Sequence, residues 1–494
     1  MPMNRNLMIQ GTMSGVGKSL ITAGMCRMLK QDGLNPAPFK SQNMALNSYV
    51  TKDGFEIGRA QAMQAFAAGL TPTVEMNPVL LKPTGDTGSQ VIVNGLPVGN
   101  MTAREYFEYK RSLMPDIGKA FSSLAEQYDP IIIEGAGSPA EINLKDHDIV
   151  NMGLAEIVDA QVFLVGDVDR GGVFAQLVGT LMLLSYKERS RVRGLIINKF
   201  RGDRSLLDPG IAALEKKCGI PVIGVIPYLP DLMLEDEDSL TERFDPRRKS
   251  DASITIAVVR LPRISNFSDF DPFEQNPSVS VVYTADPDRL AKADLIVIPG
   301  TKNTIEDMHF MNEMHLSERI KELSGAIPII GICGGLQILG GSIADPEGAE
   351  SGGSIEGLGL LPYDTVMQEE KHLAQREGTI EPGLPGIFAS LSGKHFTGYE
   401  IHLGESVSRD DPSAHFPVLT GTDRDVYGTY MHGIFDDADI TGTILSALAA
   451  RKGISLDLSR QKDEYLFRDS GYDRIADALR EGMNMELLHM LLGI

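Results

Sequence analysis

The chain has 494 residues, 42% of them apolar and 23% charged, and its 46 basic against 67 acidic side chains leave a formal charge of −21. That length exceeds one ordinary core and predicts two or three domains. The acidic balance disfavours nonspecific nucleic-acid binding, which rests on clustered cations, and no run approaches the roughly 18–20 apolar residues of a membrane span.

In chain order, the opening "MPMNRNLMIQGT" has no long apolar core after its charges, so no secretory leader is expected. The runs "LMIQ" (7–10), "PIIIEG" (130–135), "QVFLVGD" (161–167), "GLIINK" (194–199) and "PVIGVIP" (221–227) have strand length and are apolar throughout. Between them, "GKSLITAGMCRMLKQ" (17–31), "IGRAQAMQAFAAG" (57–69) and "GVFAQLVGTLMLL" (172–184) have helical length and spacing. Such an alternation predicts a parallel sheet covered on both faces. At "LEDEDSLTERFDPRRKSDAS" (234–253) apolar periodicity stops, and the stretch reads as a linker or equally as an ordered charged turn. The pattern restarts with "ITIAVV" (254–259), "VSVVY" (279–283), "DLIVIPG" (294–300) and "IPIIGIC" (327–333), a second α/β domain. "YDRIADALREGMNMELLHMLLGI" closes the chain with helical spacing and is expected to pack on that second domain. The expected boundaries are 1–245, 251–440 and a helical segment at 441–494.

Three scattered cysteines, Cys26, Cys218 and Cys333, give no zinc spacing and fit a reducing cytoplasm. Any anionic ligand of so acidic a protein needs a local basic pocket, for which Lys18, Lys40, Lys82, Lys145, Arg170, Arg201 and Arg204 are available.

"LMIQGTMSGVGKSLITAGM" runs strand, glycine-rich turn, helix. Backbone N–H groups of such a turn point at phosphate oxygens, and the helix start adds partial positive charge. Gly15 and Gly17 permit the turn, Lys18 would neutralise the β- and γ-phosphates, and the Ser19 hydroxyl would ligate magnesium. The spacing departs from the usual phosphate-loop pattern, because Gly11 lies one residue further out and Thr12 holds its place. Glu134 ends one expected strand, and Asp167 and Asp169 end another, where open parallel sheets bind ligands. Glu134 is the expected metal carboxylate; for Asp167 and Asp169, metal binding and turn capping remain open.

"IIGICGGLQILGG" also reads strand, tight turn, helix, with Cys333 framed by Gly331, Gly334 and Gly335. Glycines there allow a sharp elbow that presents the thiol, and a neighbouring helix start favours the thiolate. "YGTYMHGIF" supplies His432 as general base, and the loop at Gly300 with the Gly334 amide could donate to an oxyanion.

"GICGGLQILGG" and "YGTYMHGIF" resemble the nucleophile and histidine motifs of class I glutamine amidotransferases, in which a cysteine thiolate attacks the glutamine amide and releases ammonia. That family commonly has a glutamate two residues after the histidine; here the position is Ile434, which leaves the third member of the site unassigned. "TGYEIHLG" (397–404) is similar to a segment of cobyrinate-type amidotransferases that share the gap, and could bring Glu400 and His402 to the site. "GTMSGVGKS", "IIIEGAGSP" and "LIINKF" resemble dethiobiotin-synthetase-like domains, where the equivalent of "NK" contacts adenine, so Asn198 is the expected base reader. "FKSQNMALNS" (39–48), "NLKDHDIVNMGLAE" (143–156) and "VGDVDRGGVFA" (165–175) resemble the two-domain corrinoid amidoligases over nearly the whole chain, in the same order.

The resemblance implies a phosphate-loop, parallel-sheet synthetase domain followed by a class I glutamine amidotransferase-like α/β domain. It implies ATP, Mg2+, glutamine and a corrinoid polycarboxylate, whose b, d, e and g side chains are amidated through acyl phosphates. Lys40, Lys82, Lys145 and Asp146 are then the expected substrate contacts. A phosphate-loop switch ATPase with a vestigial amidase domain, an ATP-independent cysteine hydrolase and an a,c-diamide synthase remain as rival readings.

Overall fold

The structure, a computed structural model, describes residues 5–83, 88–230, 232, 252–459 and 461–494. It divides into two compact units: Met1–Ala45, Phe55–Ser239 and Arg468–Ile494 form the first, and Leu46–Gly54 with Leu240–Phe467 the second. The expected linker at 234–253, with the boundaries at 245 and 251, lies almost wholly outside the described residues.

The first unit is built on six parallel strands in the order Val222–Pro227, Val192–Phe200, Gln161–Asp167, Leu7–Gly11, Ile131–Glu134, Ala37–Phe39. All five residues of Leu7–Gly11 are buried, as a central strand covered on both faces requires. One face carries a core that includes Leu113, Ile117, Leu124, Leu177 and Leu181; the other includes Ile21, Met25, Met28 and Leu29 from the helix Lys18–Gln31. A second sheet, Gln42–Met44, Val79–Pro83, Gly88–Val93 and Leu96–Thr102, is mostly antiparallel and was not anticipated from the apolar pattern.

The closing helices correct an expectation. Tyr472, Ile475, Leu479, Leu488 and Leu492 join the first unit's core against Ile21, Met25 and Met28, not that of the second. Arg27 pairs with Asp469 and Asp473 at 3.0 and 2.7 Å, which fixes the same docking with charge.

The second unit has five parallel strands, Val279–Thr284, Ile254–Val259, Leu295–Ile298, Ile329–Ile332 and Val426–Thr429, and a short antiparallel edge at Thr420–Gly421. A further sheet orders Gly353–Glu356, Ser342–Asp345, Tyr363–Thr379, His395–Ser408 and Met431–His432. The chain thus leaves the main sheet at Thr429 and enters the other at Met431. That crossing carries His432 past the end of the strand that delivers Cys333.

Candidate active sites

In the first unit the loop between Gly11 and Lys18 places glycines where only glycine fits. Gly15 and Gly17 have φ of 73° and 92°, and a Cβ on Gly17 would lie 2.3 Å from the Asn198 side-chain nitrogen. Asn198 lies against this loop and donates to the Val16 carbonyl at 2.8 Å, while Lys199 donates to the Gly15 carbonyl at 2.6 Å and pairs with Asp167 at 3.2 Å. Lys18, at the helix start, donates to the Met13 and Gly137 carbonyls at 3.2 and 3.3 Å. A lysine folded back on loop carbonyls marks the space a phosphate group would fill.

Ser19, Glu134 and Lys40 meet at one point. The Ser19 hydroxyl donates to Glu134 Oε1 at 2.9 Å, and Lys40 Nζ reaches the same oxygen at 2.8 Å. Burial would raise the proton affinity of Glu134, but Lys40, the Gln64 amide and the Lys18 charge outweigh it and hold the carboxyl below its ordinary range. Gln64, on the helix Arg59–Ala67, was missed by the sequence reading because a glutamine inside a helix carries no motif.

Other expected contacts do not join this cluster. Lys82 is fully buried and ion-paired with Glu56, so it offers no surface to a substrate, contrary to expectation. Lys145 donates to Glu188 at 2.8 Å and to the Leu183 carbonyl, and Asp146 is exposed beside it. Arg201 pairs with Asp169 and lies over the Tyr228 ring, Arg204 pairs with Asp208, and Arg170 approaches Asp167 at 3.9 Å. Asp167 also accepts the Asp169 N–H, so it caps its own turn.

In the second unit Cys333 stands at φ 52°, ψ −111°, between the strand Ile329–Ile332 and the helix Gly334–Leu339. A non-glycine residue held there is strained, and the surroundings fix it. A Cβ on Gly335 would fall 2.0 Å from the Ile298 carbonyl oxygen, and one on Gly331 2.5 Å from that of Gly335. The Cys333 N–H donates to the Thr429 carbonyl at 2.8 Å, its thiol donates to the Ile401 carbonyl at 3.5 Å, and it lies close enough to His432 to raise that imidazole's proton affinity. A Cβ on Gly300 would sit 3.2 Å from the His432 ring, and one on Gly334 3.2 Å from the Thr301 amide nitrogen, so both expected oxyanion residues border the thiol and imidazole.

His432 Nδ1 donates to Asp269 Oδ2 at 2.7 Å, and the Gly433 N–H donates to Oδ1 at 3.1 Å. Burial lowers the proton affinity of His432, but the charge and hydrogen bond of Asp269, together with Cys333, raise its pKa to about 9. Asp269 escaped the sequence reading because it precedes His432 by 163 positions. The one local signal is an acidic residue packed among aromatics in "NFSDFDPF".

His402 and Glu400 lie one strand position to either side of Ile401. His402 stacks on Tyr430 at 3.9 Å and donates from Nδ1 to the Gly404 carbonyl; burial pushes its pKa down to about 4, which leaves it neutral. Glu400 accepts from His372 and Arg376 at 2.8 and 3.2 Å. They line a cavity of about 930 Å³ with Glu405 and Tyr430, and Gln337, in the first turn after the cysteine, donates to the Tyr430 hydroxyl at 3.2 Å.

Comparison with known proteins gives two family matches, one for each half of the chain. Residues 7–241 match the CobQ/CobB/MinD/ParA nucleotide binding domain, and residues 255–440 the CobB/CobQ-like glutamine amidotransferase domain. The cobyric acid synthase of Lachnoclostridium phytofermentans is 49% identical over 99% of both chains. That of Ruminiclostridium cellulolyticum is 48% identical over 99% of this chain and 97% of its own, and that of Caldanaerobacter subterraneus subsp. tengcongensis 46% over 98% of each. With such identity sustained from end to end across both domains, the chain belongs to the cobyric acid synthase family.

Proposed function

We propose that the protein amidates the b, d, e and g carboxylates of adenosylcobyrinic acid a,c-diamide, using one ATP and one glutamine for each. The observation that carries this reading is the strained Cys333 set beside His432, in one chain with a phosphate loop that brings Lys18, Ser19 and Glu134 together. A carboxylate does not form an amide readily in water, because hydroxide is a poor leaving group. Transfer of the γ-phosphoryl group makes an acyl phosphate and ADP; ammonia then displaces phosphate and leaves the amide.

In the first unit the loop N–H groups and Lys18 clamp the phosphates, and Lys199 with Asn198 keeps the loop in shape. Ser19 and Glu134 offer hard oxygen donors at one point, which suits Mg2+; the ion would supply charge neutralisation on the β- and γ-phosphates. Lys40 shares the Glu134 oxygen and would turn to the carboxylate substrate or to phosphate.

In the second unit His432 takes the Cys333 proton and the thiolate attacks the glutamine side-chain carbonyl. Amides bordering Gly300 and Gly334 stabilise the oxyanion, and ammonia leaves with the proton that His432 returns. Water hydrolyses the thioester to glutamate.

The test is incubation with ATP, Mg2+, glutamine and the diamide, followed by mass spectrometry of the corrinoid. Four successive losses of a single mass unit, each with one ADP and one glutamate, are expected. No mass change on the diamide, with turnover on another corrinoid acid, would replace this substrate assignment.

A further inference from the structure

We propose that Asp269 is the positioning residue of the amidase, holding His432 from the far end of the domain's sequence where Ile434 cannot, and that Asn47 and Ser48 fix the turn that carries it. The inference rests on the reading of Cys333 and His432 as the glutamine-hydrolysing pair.

Both oxygens of Asp269 are committed to one short stretch of chain, Oδ2 to the His432 ring and Oδ1 to the next backbone N–H. Asp269 is 4% exposed and His432 1%. Among the described residues, no lysine or arginine pairs with this carboxylate, and its ion-pair partner is the imidazole itself. A buried carboxylate is costly unless its charge is matched, so a purely packing role would be better filled by an apolar or amide side chain. The geometry also fixes which nitrogen does the proton transfer: Nδ1 is committed to Asp269, so Nε2 is the atom that exchanges a proton with the thiol.

The turn is itself held. Asn266 sits at φ 50°, and its side-chain oxygen accepts the Ser48 N–H at 3.2 Å; the Asn47 side-chain oxygen accepts the Phe267 N–H at 3.3 Å. The Tyr399 hydroxyl donates to the Ser48 carbonyl at 3.2 Å, and its ring stacks on His432 with centroids 5.5 Å apart. Residues 47 and 48 end the motif "FKSQNMALNS", which sequence alone assigns to the synthetase half, yet they belong to the second unit. The titratable groups around His432 are Asp269 on the turn, Cys333 on the elbow, Tyr399 on the long strand and, beyond it, His402. His402 carries no charge near neutrality, so the carboxylate that stabilises the imidazolium during thiolate attack is Asp269.

The thiol proton moves to Nε2, an S–C bond forms as the amide C–N bond breaks, and the same proton departs on ammonia. A C–O bond from water then replaces the C–S bond.

The test compares Asp269→Asn, Asp269→Glu and Cys333→Ala in glutamine hydrolysis and in synthesis driven by ammonium salt. Asp269→Asn is expected to lower kcat for glutamine by about a hundredfold or more, with KM little changed, because the amide permits the wrong tautomer. Ammonium-driven synthesis should persist, and the His432 titration followed by NMR should fall from about 9 to below its ordinary 6.5. Asp269→Glu should recover part of kcat. An Asp269→Asn protein with wild-type kcat and an unmoved pH profile, beside an inactive Cys333→Ala, would overturn the inference and leave the amidase reading standing. Glutamine hydrolysis surviving in Cys333→Ala would instead sink the amidase reading. Should Asp269→Asn lose both activities, Asn47→Ala decides: a lower kcat at constant KM supports the proposal, and an unchanged kcat refutes it.

Discussion

At Glu134 a fully buried carboxylate stays ionised because Lys40 and Gln64 reach it and Lys18 lies near, against a burial that by itself raises its proton affinity. Breaking such a pair by deleting one partner strands the other charge and costs about 3–5 kcal/mol. Lys40→Met is therefore expected to lower the unfolding free energy by about that amount in urea titrations at neutral pH. The Lys40→Met/Glu134→Gln double variant should recover most of it, since neither member of the pair is then left charged without the other; equal losses in single and double variants would show that the two side chains are not coupled. His432 has the opposite sign of linkage. Its pKa is raised from 6.5 to about 9, so the Asp269–His432 interaction contributes stability that is complete below pH 6.5 and is lost as pH rises through about 9. Both residues were readable to different degrees. Cys333 and His432 announce themselves through glycine-framed local motifs, whereas Asp269 becomes visible only once the turn at 266–270 folds against the crossing at Met431–His432.

Among the elements, legibility followed burial. Strands covered on both faces are apolar throughout, and "QVFLVGD" and "ITIAVV" coincide with Gln161–Asp167 and Ile254–Val259. Tyr363–Thr379 was invisible to that reasoning because, of its 17 residues, only Thr365 and Met367 are buried, so neither face shows an apolar period. The docking of the closing helices was misjudged because an amphipathic stripe names no partner. What specifies it is Gly24, a small residue inside the helix Lys18–Gln31 that lets Ile475 and Leu479 approach. Alanine at Gly24 would gain about 1 kcal/mol of helix propensity. Its Cβ would, however, lie 2.1 Å from Ile475 Cγ2 and 2.7 Å from Leu479 Cδ1, and both must move. Overpacking of that kind costs about 1–3 kcal/mol. Gly24→Ala should thus lower Tm despite its better helix former. Ile475→Ala should cost less in the Gly24→Ala background than in the wild type, because the clash and the lost contact share an atom. Additive losses would mean that the helices are held by their flanking ion pairs at Arg27 instead.

For the whole molecule, neither unit is a continuous piece of sequence. Leu46–Gly54 leaves the first half to join the second unit, and Arg468–Ile494 returns to the first, so a cut in the expected linker would remove Tyr472, Ile475 and Leu479 from one core and Asn47 from the turn that holds Asp269. The chemistry nonetheless divides cleanly, because each site draws its reacting groups from one unit: Lys18, Ser19 and Glu134 from the first, Cys333, His432 and Asp269 from the second. Removing the nitrogen source and removing the activation step should therefore leave different residual activities. Cys333→Ala is expected to abolish glutamine-driven amidation and to keep ATP-dependent amidation when ammonium salt is supplied, since the acyl phosphate still forms and free ammonia can displace phosphate from it. Lys18→Ala should abolish synthesis with either nitrogen source, because without the clamped γ-phosphate no carboxylate is activated. Both are scored by corrinoid mass and ADP release, with Tm as the control for folding. A folded Cys333→Ala enzyme that fails with ammonium as it does with glutamine would show that the thiol takes part in activation itself. A Lys18→Ala enzyme that still amidates with ammonium would place activation somewhere other than the glycine loop.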